Sequence, residues 1–154
     1  MGQINVEKHV GGIEGLCVIE PKVHGDHRGY FVETYNQNDM KEAGLDMVFV
    51  QDNQSMSVKG VLRGLHFQKN YPQTKLVRVI RGRVFDVAVD LRKGSETFGK
   101  WYGIELTEEE KEKILLDRFV SGSLHDCKTV DDLLSVYYSY TSSYLYTTIV
   151  FGLA

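Results

Sequence analysis

Short β-prone segments separated by glycine-containing turns constrain the fold of this chain more than any other feature. Two of them, Lys75–Ile80 and Arg83–Asp90, flank Arg81 and Gly82. β-branched and aromatic residues favour strands, and two such runs joined by a short glycine-containing linker predict a β-hairpin. About seven such segments are typical of an all-β barrel or sandwich of antiparallel strands. The other five are Gly15–Pro21, Tyr30–Tyr35, Met47–Asn53, Val61–Gln68 and Gly99–Leu106.

Two local signals interrupt these strands. Asn38 is a residue that often starts a helix, here Asp39–Ala43, and Gly44 is suited to end it. Thr107 precedes a charged run and predicts either one helical turn or the loop of a hairpin. Both elements are short, so the all-β prediction stands.

The segment Val61–Gln68 carries the first candidate for chemistry. Its residues nearly alternate between apolar and polar, so a strand here places His66 and Arg63 on opposite faces. Free imidazole titrates near neutral pH and suits a general base. A single histidine on a strand is more often structural, so the residue alone does not decide its role. Because Gly64 and Gln68 flank His66 where a metal-binding barrel would carry further ligands, we expect no metal.

The composition excludes several classes of function. A chain of 154 residues with 42% apolar and 25% charged residues is expected to form one soluble domain. Its net charge of −3 gives no overall attraction to nucleic acid or to an anionic membrane, so we expect neither partner. The N-terminal residues lack a signal-peptide core, and the distant Cys17 and Cys127 fit unpaired thiols in a reducing compartment. We therefore expect a cytoplasmic protein.

Six motifs follow one another in a recognisable order and spacing. They are Glu20–Val23, Gly25–Glu33, Phe49–Ser55, Lys59–Gln68, Gln73–Val79 and Gly82–Arg92. Together they resemble the dTDP-4-dehydrorhamnose 3,5-epimerase family. The resemblance implies a cupin-like jelly-roll barrel of antiparallel strands, a homodimer, and catalysis without a metal or an organic cofactor. It also implies a place in the synthesis of dTDP-L-rhamnose.

The resemblance implies a substrate and two catalytic residues. The substrate is a dTDP-4-keto-6-deoxy sugar, which is epimerised at C3 and C5 by proton abstraction next to the 4-ketone. His66 matches the family's base, and Lys75 matches an active-site lysine whose ammonium stabilises the enolate. The alternative for Lys75 is a solvated residue that protects a strand edge.

Six further residues match family positions that contact the nucleotide sugar. Arg28 and Arg63 match residues that bind the diphosphate, because a planar guanidinium fits phosphate oxygens. A surface ion pair is the common alternative for an arginine, and a turn hydrogen bond is the alternative for Glu33 or Asn53. The contacts with the rest of the nucleotide sugar are assigned to Phe31, Glu33, Gln51 and Asn53.

The resemblance ends near residue 113, where the composition changes. We predict an epimerase-like domain over residues 1–116 and a divergent tail over residues 117–154, with a barrel incomplete at its C-terminal end. No charged residue occurs from Leu133 to Ala154. A shifted reading frame near residues 113–118 and a diverged tail that still forms strands both remain open. The family's catalytic tyrosine and orienting aspartate have no recognisable context around Tyr137, Tyr138, Tyr140, Tyr144 and Tyr146.

Three functions fit these patterns. The first is the 3,5-epimerase itself. The second is a non-catalytic cupin that binds a sugar nucleotide in the same pocket and lacks the acid. The third is a related epimerase or isomerase that acts on another keto sugar. A tyrosine hydroxyl across the pocket from His66 would distinguish the first from the second.

Overall fold

The fold is built almost entirely from antiparallel strands, as predicted. The structure, a computed structural model, describes residues 2–58, 63, 65–66, 73–111, 113–116 and 146–152. One short helix, α1, spans Gln37–Glu42. The strands are β1 (Ile4–Lys8), β2 (Leu16–Pro21), β3 (Val23–Asp26), β4 (Gly29–Val32), β5 (Gln51–Ser57), β6 (Lys75–Arg78), β7 (Arg83–Val89), β8 (Trp101–Thr107), β9 (Lys113–Leu116) and β10 (Tyr146–Gly152).

A four-stranded antiparallel sheet, in the order β1-β2-β9-β6, has apolar side chains on both faces. Along β2, Leu16 and Val18 project to one face, and Cys17 and Ile19 project to the other. All four side chains are buried. Because both faces are covered, this segment is a continuous apolar run instead of an alternating one.

The first core lies between this sheet and the β7–β8 pair. Val77 of β6 and Val79, which follows β6, belong to the same buried cluster as Ala88 of β7 and Leu106 of β8. Burying a valine or leucine side chain contributes roughly 1.5–3 kcal/mol to stability. The two sheets therefore pack as a sandwich whose interior receives alternate residues of the facing strands.

The second core covers the opposite face of the four-stranded sheet. Met40 of α1 and Leu45 pack there with Ile19, Leu76 and Leu115. This contact anchors α1, which is too short to be stable alone.

The helix α1 begins earlier than the sequence predicts. The Asn36 side chain accepts hydrogen bonds from the backbone N–H groups of Asn38 at 2.9 Å and Asp39 at 3.3 Å. Asn36 is therefore the N-cap, and the predicted cap Asn38 lies inside the helix. Both asparagines suit a cap, and packing of Met40 against the sheet fixes which one is used. Gly44 follows the helix with a φ of 76°, as its predicted role requires.

The predicted hairpin between Lys75–Ile80 and Arg83–Asp90 is wrong. β6 pairs with β9, whereas β7 pairs with β8 in a different sheet. The intervening residues form a bend in which Gly82 has a φ of 82°, a conformation that favours glycine. Such a bend reverses the chain equally well within one sheet or between two packed sheets. The local sequence therefore does not reveal which strands pair.

Two other predicted strands differ from the structure. The described positions in Val61–Gln68 are Arg63, Leu65 and His66, which belong to no strand, and the other positions lie outside the described residues. Alternation indicates an extended backbone, but a strand also needs a hydrogen-bonded partner. The strand predicted from Met47 is β5, which starts at Gln51 and pairs with β10.

Candidate functional site

The β3–β4 hairpin carries two of the predicted ligand-binding residues. These two strands form a two-stranded sheet of their own, in which Asp26 pairs with Gly29 across the turn. The guanidinium of Arg28 donates to the Asp26 carboxylate, with Nε 3.0 Å from Oδ2. This pair raises the pKa of Arg28 and lowers the pKa of Asp26. Phe31 is 69% exposed, and both Arg28 and Phe31 line a pocket of about 520 Å³ beside the hairpin.

The strand β5 and the segment after it bring three more predicted residues together. Gln51 and Asn53 lie on the same face of β5, and Gln51 Nε2 donates to Asn53 Oδ1 at 3.2 Å. Arg63 Nε donates to Ser57 Oγ at 2.7 Å, which fixes this arginine to the end of β5. The amide groups and the guanidinium therefore share one strand as their support.

Glu33 lies just after β4 and has a clear structural partner. Its Oε1 accepts a hydrogen bond from Asn36 Nδ2 at 3.1 Å. Asn36 is the N-cap of α1, so this contact joins the hairpin to the start of the helix. The hydrogen bond from Asn36 therefore supports the alternative role of Glu33, which is a local structural contact.

The two predicted catalytic residues have different environments. His66 is exposed, and the described part of the chain provides no hydrogen bond to it. Lys75 is half-buried at the start of β6, where its charge acts on the buried carboxyl of Asp86. Within the described part of the chain, no hydrogen bond joins His66 to Lys75.

Two charged residues near the site were missed in the sequence. Arg78 on β6 is half-buried and interacts electrostatically with Asp52 of β5 and Tyr30 of β4. Burial lowers the pKa of Arg78, and the neighbouring Asp52 carboxylate and Tyr30 hydroxyl oppose that shift. Asp86 lies in the middle of β7 with apolar residues on both sides, and its Oδ2 is buried. In both cases the available signal was a charged residue inside a β-prone run.

The remaining predictions concern the catalytic tyrosine and the absence of a metal. The segment 117–145, which holds four of the five tail tyrosines named above, lies outside the described residues. Among the residues that are described, no group of three or more His, Cys, Asp or Glu side chains can hold a metal ion. The expected absence of a metal stays a prediction.

Comparison with known proteins identifies the family. The family model described as dTDP-4-dehydrorhamnose 3,5-epimerase matches residues 11–148. The chain belongs to the dTDP-4-dehydrorhamnose 3,5-epimerase family. The matched range includes every predicted site residue and continues past residue 113 into the segment predicted as a divergent tail.

Individual relatives of this epimerase family agree. The dTDP-4-dehydrorhamnose 3,5-epimerase of Methanothermobacter thermautotrophicus is 51% identical over 132 residues, which are 86% of this chain and 70% of that protein. The Salmonella typhimurium epimerase is 46% identical over 134 residues, which are 86% of this chain and 72% of that protein.

A solved structure of the family supports the fold. The crystal structure of the Legionella pneumophila 3,5-epimerase in complex with dTDP-4-keto-L-rhamnose has a TM-score of 0.76 and 36% identity. The match covers 97% of this chain and 71% of that chain. The prediction of an all-β, cupin-like jelly roll is confirmed. Within the described ranges, no helix has the length and apolar character needed to cross a membrane.

Proposed function

We propose that this protein is a dTDP-4-dehydrorhamnose 3,5-epimerase that inverts C3 and C5 of dTDP-4-dehydro-6-deoxyglucose during dTDP-L-rhamnose synthesis. The observation that carries the proposal is the family match over residues 11–148, within which every predicted site residue lies. The reaction needs a base, an acid on the opposite face of the sugar, an electrophilic group at the ketone oxygen, and groups that bind the nucleotide. The described residues offer a candidate for each role except the acid.

His66 is the proposed base. It removes a proton from the carbon next to the ketone, and the electron pair of the broken C–H bond forms the C=C bond of an enolate. An acid on the opposite face then donates a proton to that carbon: the C=C electron pair forms the new C–H bond, the ketone is restored, and the configuration is inverted. A neutral imidazole accepts the proton directly, and the exposed position of His66 leaves it accessible to a ligand.

Lys75 is the proposed electrophilic group. Negative charge moves onto the ketone oxygen as the enolate forms, and a nearby ammonium stabilises that charge more strongly than it stabilises the neutral ketone. The half-buried setting of Lys75 supports this role, because electrostatic interactions are stronger where water is partly excluded.

Arg28 and Arg63 are proposed to bind the diphosphate. Phe31, Glu33, Gln51 and Asn53 are proposed to contact the rest of the nucleotide sugar. The open pocket beside Arg28 and Phe31 and the shared support of Gln51, Asn53 and Arg63 favour these assignments.

We further propose a cytoplasmic homodimer. Four apolar residues on and beside β5 are more than half exposed. Monomeric soluble proteins rarely expose large apolar patches, so this surface is the proposed dimer interface. The four residues are Val48, Val50, Met56 and Val58. Cys17 is buried in the second core, a position that suits a reducing compartment.

Solvent deuterium exchange tests the epimerase proposal. Purified protein is incubated in D₂O with dTDP-4-dehydro-6-deoxyglucose, and deuterium at C3 and C5 is followed by NMR. We expect exchange at both carbons and a fall of about 10²–10⁴-fold in its rate for His66→Asn. Lys75→Met should lower the rate by about 10²-fold.

Matched controls separate these effects from general damage. His9→Asn replaces an exposed histidine whose φ of 56° suits asparagine, and Lys93→Met replaces an exposed lysine. Both variants should exchange at the wild-type rate. Wild-type exchange in His66→Asn would refute the assigned base.

The same experiment distinguishes the alternatives. A wild-type protein that binds dTDP without any exchange would be a non-catalytic sugar-nucleotide-binding cupin. Exchange at C3 alone would indicate a related epimerase that inverts one centre.

Light scattering after gel filtration tests the dimer. Val50→Asp together with Met56→Asp should shift the mass from two chains to one, because charges are costly in an apolar interface. Phe98→Asp alters another exposed apolar residue and should leave the dimer intact. Dissociation by Phe98→Asp, or a monomeric wild type, would contradict the proposed interface.

A further inference from the structure

Asp86 places a carboxylate inside the sandwich. Side chains alternate along β7, so Asp86 faces the same side as Val84 and Ala88, which both pack in the core between the two sheets. Across the ladder, Asp86 pairs with Ile104 of β8, which packs against the same core. The carboxyl group therefore points toward the interior.

This buried carboxyl has few partners. Its Oδ2 is shielded from solvent and has no hydrogen bond within the described part of the chain. Burial raises the pKa of Asp86 to about 6, although the charge of Lys75 and the backbone N–H of Val87 act in the opposite direction. A buried carboxyl with one oxygen left without a hydrogen bond is unfavourable for folding, and an apolar residue would pack there at lower cost.

Lys75 reaches the same interior from the facing sheet. Lys75, Val77 and Val79 alternate with Leu76, and the two valines belong to the same core as Ala88. Lys75 is the charged side chain that acts on Asp86 among the described residues. The two strands thus place one cation and one carboxylate on facing sides of the same apolar core, where the charge of Lys75 acts on Asp86.

We propose that Asp86 is a positioning residue that holds the ammonium of Lys75 in place for the ketone oxygen of the substrate. Asp86 forms and breaks no covalent bond, and its proton count does not change during the reaction. A lysine side chain has many rotamers, and a fixed negative partner restricts the ammonium before the substrate arrives. The functional half of this inference rests on the proposed epimerase activity.

The first test needs no activity. Protein with ¹³C-labelled aspartate is titrated by NMR, and the Asp86 carboxyl signal is assigned by its absence in Asp86→Asn. In Lys75→Met, the titration midpoint of Asp86 should rise by about one pH unit or more, a tenfold gain in proton affinity. An unchanged midpoint means that the two side chains do not interact, which overturns the proposal.

The second test measures exchange kinetics and binding separately. Asp86→Asn should lower the kcat of deuterium exchange by about tenfold or more while the Kd for dTDP stays within about twofold. Asp46→Asn is the matched control, because Asp46 forms an exposed ion pair with Lys41. It should leave both quantities unchanged.

The outcomes keep the two proposals distinguishable. Unchanged kcat in Asp86→Asn, or an equal loss of kcat and dTDP affinity, overturns the positioning role. A wild-type protein without any exchange refutes the proposed function, and the titration of Lys75→Met then decides the electrostatic interaction on its own. If Asp86→Asn does not fold, the Asp86 carboxyl signal is assigned through its backbone resonances instead, and the titration still decides the proposal.

Discussion

Replacing Asp86 by asparagine should change how the stability of this protein depends on pH. The folded state raises the pKa of the Asp86 carboxyl from 3.8 to about 6, chiefly because the group is buried. The folded protein therefore holds this proton more tightly than the unfolded chain does. Between pH 4 and pH 6 the folded state binds more protons, so the contribution of Asp86 to stability falls as the pH rises.

The size of the effect follows from the shift. At roughly 1.4 kcal/mol per unit, a rise from 3.8 to about 6 corresponds to about 3 kcal/mol. The destabilisation of the folded state by the ionised Asp86 carboxylate is absent below pH 4, where Asp86 is protonated in both states. It is complete above pH 6. Asparagine does not titrate, so the difference in unfolding free energy between Asp86→Asn and wild type should shift by about 3 kcal/mol in favour of the variant.

Urea unfolding at several pH values between 4.0 and 7.5 measures this difference. Trp101 is the single tryptophan of the chain and reports unfolding by fluorescence. Comparing the variant with wild type at each pH cancels any constant effect of the amide group. It also cancels contributions from other titrating groups that both proteins share.

A matched control and a clear outcome test the reasoning. Asp46→Asn makes the same chemical change in an exposed ion pair, and such pairs contribute about 0–1 kcal/mol. Its difference from wild type should change little with pH. If Asp86→Asn gives an equally flat difference, or loses stability relative to wild type as the pH rises, the carboxyl is not desolvated as described.

Three further changes should have measurable effects. Asp90→Asn should lower stability by about 3 kcal/mol in thermal unfolding, because its fully buried carboxylate accepts hydrogen bonds from three side chains of its own turn. Burial raises the pKa of Asp90, but the hydrogen bonds outweigh burial, so the net effect is a lowered pKa. The stabilising contribution of this carboxylate is therefore lost as the pH falls below about 4. Asn36→Ala should cost about 1 kcal/mol in urea unfolding, whereas Asn38→Ala should cost much less, and the reverse order would contradict the observed cap. Arg63→Lys should weaken dTDP binding about tenfold in calorimetry, because lysine cannot bind a phosphate with two parallel hydrogen bonds, while Arg83→Lys in an exposed ion pair should not. Equal affinity of the two lysine variants would refute the role of Arg63.

The sequence predicted the local elements of the fold better than their partners. The segments around β2, β7 and β8 were found because apolar and β-branched runs bounded by glycine turns depend on neighbouring residues only. The pairing of β6 was wrong, because a bend that contains Gly82 serves a hairpin and a crossing between sheets equally well. The cap of α1 was misplaced for a similar reason, since two asparagines offered the same local chemistry.

In the candidate site, too, the residue types were predictable from the sequence and their spatial partners were not. The order of six motifs indicated the family, because it records which residue types the chemistry needs and at what spacing along the chain. No single motif could show that the charge of Lys75 acts on Asp86, because eleven positions and a change of sheet separate them. The sequence by itself therefore determined several of the strands, the all-β class and the residue types of the site. Tertiary structure alone decided which strands pair and which charges act on each other inside the sandwich, because burial and proximity of distant residues arise only when the two sheets pack together.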